Sequence, residues 1–212
     1  MMPKSPREIK DAVLADLMKK VGKDLVVEDK GLRWPLGLLA LNRMLGGGIP
    51  RRRFTEIHGP SDSGKTSIAL EIIRDVAALE AEELAKPRGR RIVYYDHEWA
   101  LDVEFAKKVI GRPLGIVRRI EDLGAVWADH PGILIRPPTL EFDAKLTESL
   151  LRARRLLLSV HDSIAGMTPR AMIEDNKHDP ILGCEDSDAR PALIARKMGA
   201  WLPKWKKLCG QF

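Results

Sequence analysis

Residues 59–66 read Gly-Pro-Ser-Asp-Ser-Gly-Lys-Thr, and this stretch decides the fold. Its spacing, GxxxxGK[ST], has a physical basis. Gly59 and Gly64 reach backbone angles closed to other residues, which turns successive N–H groups inward as an anion nest. A helix beginning at Lys65 adds the positive end of its dipole. Lys65 sets an ammonium against β- and γ-phosphates, and the Thr66 hydroxyl is a ligand for Mg²⁺. The competing reading is a glycine-rich turn that holds nothing. The flanks decide between them. Residues 54–58 predict a strand running into the loop, and 65–85 a helix leaving it, ended by Lys-Pro-Arg-Gly at 86–89. The stretch predicts a nucleoside triphosphate site.

Further along, the same strand–loop–helix rhythm repeats. Residues 92–95 predict a second strand, 103–110 a helix stopped by Gly111, and 133–135 a third strand ended by Pro137 and Pro138. A helix over 141–154 precedes the apolar strand 156–160, which stops at Asp162. Alternation of this kind predicts an α/β fold, a mostly parallel sheet covered by helices on both faces. Ligand sites in such sheets lie beyond the carboxyl ends of the strands. Asp162 therefore reads as the Mg²⁺-coordinating acid, or alternatively as a helix N-cap, with Ser163 beside it. The string YYDHEWALD at 94–102 ends the second strand in acids. Glu98 there reads as the base that orients water toward a γ-phosphate, or else as part of a solvated turn. Asp96 reads as a strand-end residue bonded to nearby backbone.

Residues 190–208 predict a helix whose Ile194, Met198, Trp201, Trp205 and Leu208 form a core- or partner-facing seam, kinked or broken at Pro203. At the other end, residues 6–21 predict a short amphipathic helix ended by Gly22, with charges throughout and no secretory pattern. Hydrophobic residues make up 44% and charged residues 31% of the 212, which is globular rather than disordered composition. No apolar run is long enough to span a bilayer. The net charge of +6 suits a nucleic-acid partner and equally a solvated basic surface. Cys184 and Cys209 stand in no ligand spacing, so a cytoplasmic, reduced setting is expected and a structural zinc site is not.

Taken together these strings resemble the RecA recombinase family. The lead-in GLLALNRMLGGGIPRRRFTEIHGPSDSGKTS, the string DHEWALDVEFA at 96–106 and the segment VHDSIAGMTPRAMIE at 160–174 keep that family's order and approximate spacing, with a weaker echo in ALIARKM at 192–198. The resemblance implies a RecA-like P-loop NTPase core over 37–212 and an oligomerisation segment over 1–36. It implies that Gly59, Pro60, Ser61, Asp62, Ser63, Gly64, Lys65, Thr66 and Ser67 cradle the phosphates of ATP. Glu98 would be the catalytic glutamate, acting with Lys65, and Thr66 and Asp162 would hold Mg²⁺. Asp102 and Phe105 match positions that meet adenine; the residues by themselves read as a helix cap and a core aromatic. Segment 174–190 falls at a DNA-binding loop, which makes Lys177 and Arg196 candidate phosphate contacts, with a solvated surface as the equal alternative. The implied activity is DNA-dependent ATP hydrolysis by a self-associating helical filament on single-stranded DNA that pairs with homologous duplex DNA. The rivals are a regulatory or loader ATPase acting on a protein and a nucleotide-binding module without turnover. Trp99 departs from the family's common histidine and His97 from its small residue. The family continues past the point matched by KLCGQF, into a further strand and a second DNA loop.

Overall fold

The structure, a computed structural model, describes residues 32–175 and 189–210. The chain divides into the units Met1–Leu32 and Arg33–Phe212, and every described element belongs to the second. The expected helix over 6–21 and Lys177 lie outside the described residues. A two-residue antiparallel pair, β1 (Arg33–Trp34) with β2 (Ile49–Pro50), brackets α1 (Leu39–Met44). The turn back into β2 passes through Gly48 at φ 118, where a Cβ would sit 1.9 Å from the Trp34 carbonyl oxygen. Only glycine fits there.

The main sheet has four parallel strands in the order β4 (Gly115–Val117), β5 (Gly132–Ile135), β3 (Arg91–Asp96), β6 (Leu156–Asp162). Successive side chains of β3 divide between two faces, as the pleat demands. Ile92 and Tyr94 join Leu70, Ile73 and Val76 of α2 (Lys65–Leu79) and Ala106 and Ile110 of α4 (Val103–Ile110). Val93 and Tyr95 join Ile133, Ile135 and Leu150 on the other side. That side carries α5 (Leu123–Asp129) and α6 (Leu140–Arg152). The α/β reading, parallel with both faces covered, is what the structure shows.

Three local expectations are corrected. Residues 54–58 belong to no strand, and Phe54 and Ile57 are exposed. Among the described residues β6 pairs only with β3, so no ladder partner holds this segment. The long helix over 65–85 is two, α2 and α3 (Ala81–Ala85), broken at Glu80, whose carboxylate takes the Trp34 indole N–H at 2.9 Å and pairs with Arg51. The seam helix α8 (Ala189–Cys209), which follows α7 (Arg170–Asp175), continues unbroken through Pro203. Pro203 and Gly199, four residues before it, are both exposed, so the carbonyl without an N–H partner can turn to water. Ile194, Met198 and Trp205 are buried with Leu140, Ala144 and Met167, which makes the seam core-facing. Strand β4 and helix α5 were not foreseen: a three-residue strand opening on glycine carries no periodic signal.

Candidate nucleotide site

The loop at 59–66 opens directly into α2, whose N-cap is Gly64 at φ 83. Asp62 also takes a left-handed turn, at φ 59, a conformation uncommon for a residue with a side chain. Gly59 lies so close to Ser63 that an added Cβ would meet its Oγ at 2.9 Å. Lys65 folds back over the loop and donates from Nζ to the Pro60 carbonyl at 2.6 Å and the Gly59 carbonyl at 3.2 Å. The ammonium thus lies against the carbonyls of its own loop.

Thr66, at the first turn of α2, donates from Oγ1 to Asp162 Oδ2 at 2.7 Å. The Tyr94 hydroxyl donates to the same oxygen at 2.5 Å. Burial and then this carboxylate push the Tyr94 phenol far above its ordinary value, so it remains a donor. Strand register explains the meeting: Tyr94 pairs with Val160 and Asp96 with Asp162, so both strands end together at the edge where the loop lies. Asp162 is held by side-chain donors from two other elements, and a hydroxyl oxygen next to a carboxylate oxygen is a hard donor set that suits Mg²⁺.

Glu98 lies two residues past the end of β3. Its Oε1 accepts a hydrogen bond from the Ser163 hydroxyl, and Ser163 follows Asp162 directly. The Ser163 Oγ also accepts from the Gly166 N–H at 3.1 Å. Gly166 leaves no room above this contact, since a Cβ on it would sit 2.8 Å from Glu98 Cγ. Asp96 shapes the connecting turn. It is 2% exposed, accepts from the Ala100 and Leu101 N–H groups at 3.2 and 3.3 Å, and pairs with Arg136 at 3.0 Å. Arg136 in turn lies over the exposed Trp99 ring, 5.7 Å from its centroid. Asp96 therefore organises the turn that carries Glu98, as its strand-end position suggests.

Asp102 caps α4, its Oδ1 accepting from the Glu104 and Phe105 N–H groups at 2.9 and 3.0 Å. Phe105 is not a core aromatic: it is 43% exposed while Ala106 and Ile110 bury the inner face of its helix. Arg196 is exposed on α8. The structure joins Thr66 to Asp162 and, through the next residue Ser163, reaches Glu98, while Lys65, the neighbour of Thr66, bonds to its own loop. Tyr94, Arg136 and Gly166 escaped sequence reading, because an apolar-looking strand tyrosine, an arginine and a loop glycine carry no signal of partners distant in the chain.

A glycine-bearing loop that opens into a helix at the edge of a parallel sheet, with acids at the ends of two adjacent strands, defines a P-loop α/β core. The family model of the RecA N-terminal domain matches residues 9–209. The chain is 33% identical over 211 residues to Protein RecA of Methylobacterium sp. (strain 4-46), an alignment covering 96% of this chain and 49% of that protein. It is 34% identical over 183 residues to Protein RecA of Streptomyces coelicolor (82% and 42%) and 31% over 205 residues to Protein RecA of Bacillus subtilis (93% and 51%). The chain belongs to the RecA family. It spans about half the length of these curated relatives.

Proposed function

We propose that the chain is the ATPase core of a RecA-type recombinase, hydrolysing ATP in response to single-stranded DNA within a self-assembled filament that pairs with homologous duplex. The observation that carries this reading is the continuous chain of contacts from Thr66 to Asp162 and, one residue on, from Ser163 to Glu98. It ties the phosphate loop to the exposed carboxylate of Glu98 near the same sheet edge.

In this reading the amides of Gly59–Thr66 and Lys65 neutralise the β- and γ-phosphate oxygens, and Ser67 extends the cradle into α2. Thr66 and Asp162 hold Mg²⁺, which when bound supplies further positive charge to those oxygens. Glu98 accepts a hydrogen bond from the attacking water and takes its proton as the water oxygen bonds to the γ-phosphorus; ADP leaves with the electron pair of the broken P–O bond. Ser163 fixes the carboxylate's orientation. The exposed Phe105 ring offers a stacking face to adenine, with Asp102 beside it. Lys177 and Arg196 contact DNA phosphates, and residues 1–36 serve protomer association.

The test is ATP turnover measured with and without single-stranded DNA. Stimulation by single strands, lost in Lys65→Ala, is expected. Turnover indifferent to DNA would instead identify a regulatory or loader ATPase, and ATP binding without any turnover a non-catalytic module.

A further inference from the structure

Neighbouring residues of a strand face opposite ways. His161 therefore turns away from Asp162 and Thr66, toward α6 on the other face of the sheet, and His97, just past the end of β3, lies on that side with it. There they converge on Asp143. His97 Nε2 lies 2.9 Å and His161 Nδ1 2.8 Å from the same carboxylate oxygen, Oδ2. One ligating atom from each of the three residues lies within 4.8 Å of the others. The Asp143 and His97 side chains are buried, at 0% and 2% exposure, and His161 retains 16%.

The carboxylate is also braced from behind. Thr147 Oγ1 lies 3.0 Å from Asp143 Oδ1 and 3.0 Å from the Tyr95 hydroxyl. A carboxylate can only accept, so the single Thr147 proton goes to Asp143 and Tyr95 donates to Thr147. Tyr95 and Trp205 both stack on His161, with centroids 4.6 and 5.7 Å away. Two imidazoles aimed at one oxygen, with the other oxygen anchored and an aromatic wall around them, make a ligand set with its outer support in place.

We propose that His97 Nε2, His161 Nδ1 and Asp143 Oδ2 bind one Zn²⁺ ion, tying the ends of β3 and β6 to α6. Two imidazoles and one carboxylate favour a borderline ion over Mg²⁺. Each imidazole binds in its neutral form, carrying its proton on the other ring nitrogen. The N···O separations open from 2.8–2.9 Å to about 3.3 Å, the edge of a tetrahedron with metal bonds of about 2.0–2.1 Å. Water takes the fourth position from the side of His161, the one ligand with exposure. Because His97 precedes Glu98 and His161 precedes Asp162, the ion steadies both strand ends from behind the nucleotide face. The three ligands come from a turn, a helix and a strand and share no local spacing, which is why the sequence showed no zinc motif.

Cobalt(II) titration of the metal-stripped, nucleotide-free chain tests this by visible absorption. One Co²⁺ per chain with an intense four-coordinate band, displaced by Zn²⁺ and not by excess Mg²⁺, is expected. His97→Gln and His161→Gln should each weaken binding by about 100-fold or more, and Thr147→Val by about 10- to 100-fold. Thr66→Ala, altered only on the phosphate-loop face, should keep the band. No band in the unaltered chain, or a band that persists in both histidine variants, overturns the proposal. Should the histidine variants fail to fold by circular dichroism, the unaltered chain and Thr147→Val decide: an undiminished band in Thr147→Val overturns it too.

Discussion

Asp162 is the chain neighbour of Ser163, which holds Glu98, yet the two acids are held differently. Asp162 receives two donors on one oxygen, from Thr66 and Tyr94, while Glu98 receives, among the described residues, the Ser163 hydroxyl alone. A metal ligand gains from being fixed, and a base must be free to meet water. Glu98→Gln should leave ATP affinity within a few-fold and lower turnover by about 10²- to 10⁴-fold. Lys65→Ala should abolish nucleotide binding itself, measured by calorimetry; unchanged affinity there would falsify the phosphate site. These residues were legible because each sits in a local string with a known chemical demand. The His97–Asp143–His161 cluster was not, since its members read singly as a turn histidine, a helix acid and a strand histidine. Asp143 shows why such groups need partners: burial alone would raise its pKa, but the two imidazoles outweigh burial and hold it well below the ordinary carboxylate range.

At the level of elements, strands β3, β5 and β6 and helices α4, α6 and α8 were readable to within a few residues, because apolar periodicity and caps mark them. The turns that aim side chains were not. Gly166 is one of these: its hydrogen leaves just enough space for the Glu98 side chain. Gly166→Ala should displace that carboxylate and lower turnover while ATP affinity is kept, a split visible in kcat against equilibrium binding; equal loss of both would count against it. At the opposite end of β3, Arg91 is 2% exposed, donating to the Trp127 and Lys86 carbonyls at 2.9 and 3.0 Å. Glu83 helps to pin that corner. Hydrogen bonds from Lys86 Nζ and the Arg90 N–H lower its carboxyl from 4.5 to about 2. Because the folded value is depressed, its contribution is full above about pH 4.5 and disappears as pH falls toward 2. Acid unfolding followed by circular dichroism should show that Glu83→Gln loses less stability than the unaltered chain across that window.

For the molecule as a whole, the parallel sheet separates two chemistries by its own thickness, phosphate loop and hard oxygen donors on one face, imidazoles and aromatic rings on the other. The α/β class followed from the order of strands and helices, whereas the strand order β4-β5-β3-β6 depends on long-range pairing that no window of residues contains. If the chain acts on DNA, its affinity should fall steeply between low and moderate salt, by orders of magnitude for several phosphate contacts, since released counterions drive such binding. Binding by fluorescence anisotropy that ignores salt would argue against the DNA role.

The segment at 54–58 enters the phosphate loop without a ladder to hold it, and Phe54 is 49% exposed. Unpaired, accessible backbone is where proteases cut. Chymotrypsin should nick the native chain first after Phe54, severing the loop from everything before it. Saturating nucleotide should slow that cleavage by ordering the adjoining turn, so a simple digestion time course becomes a gauge of occupancy that needs no catalytic turnover.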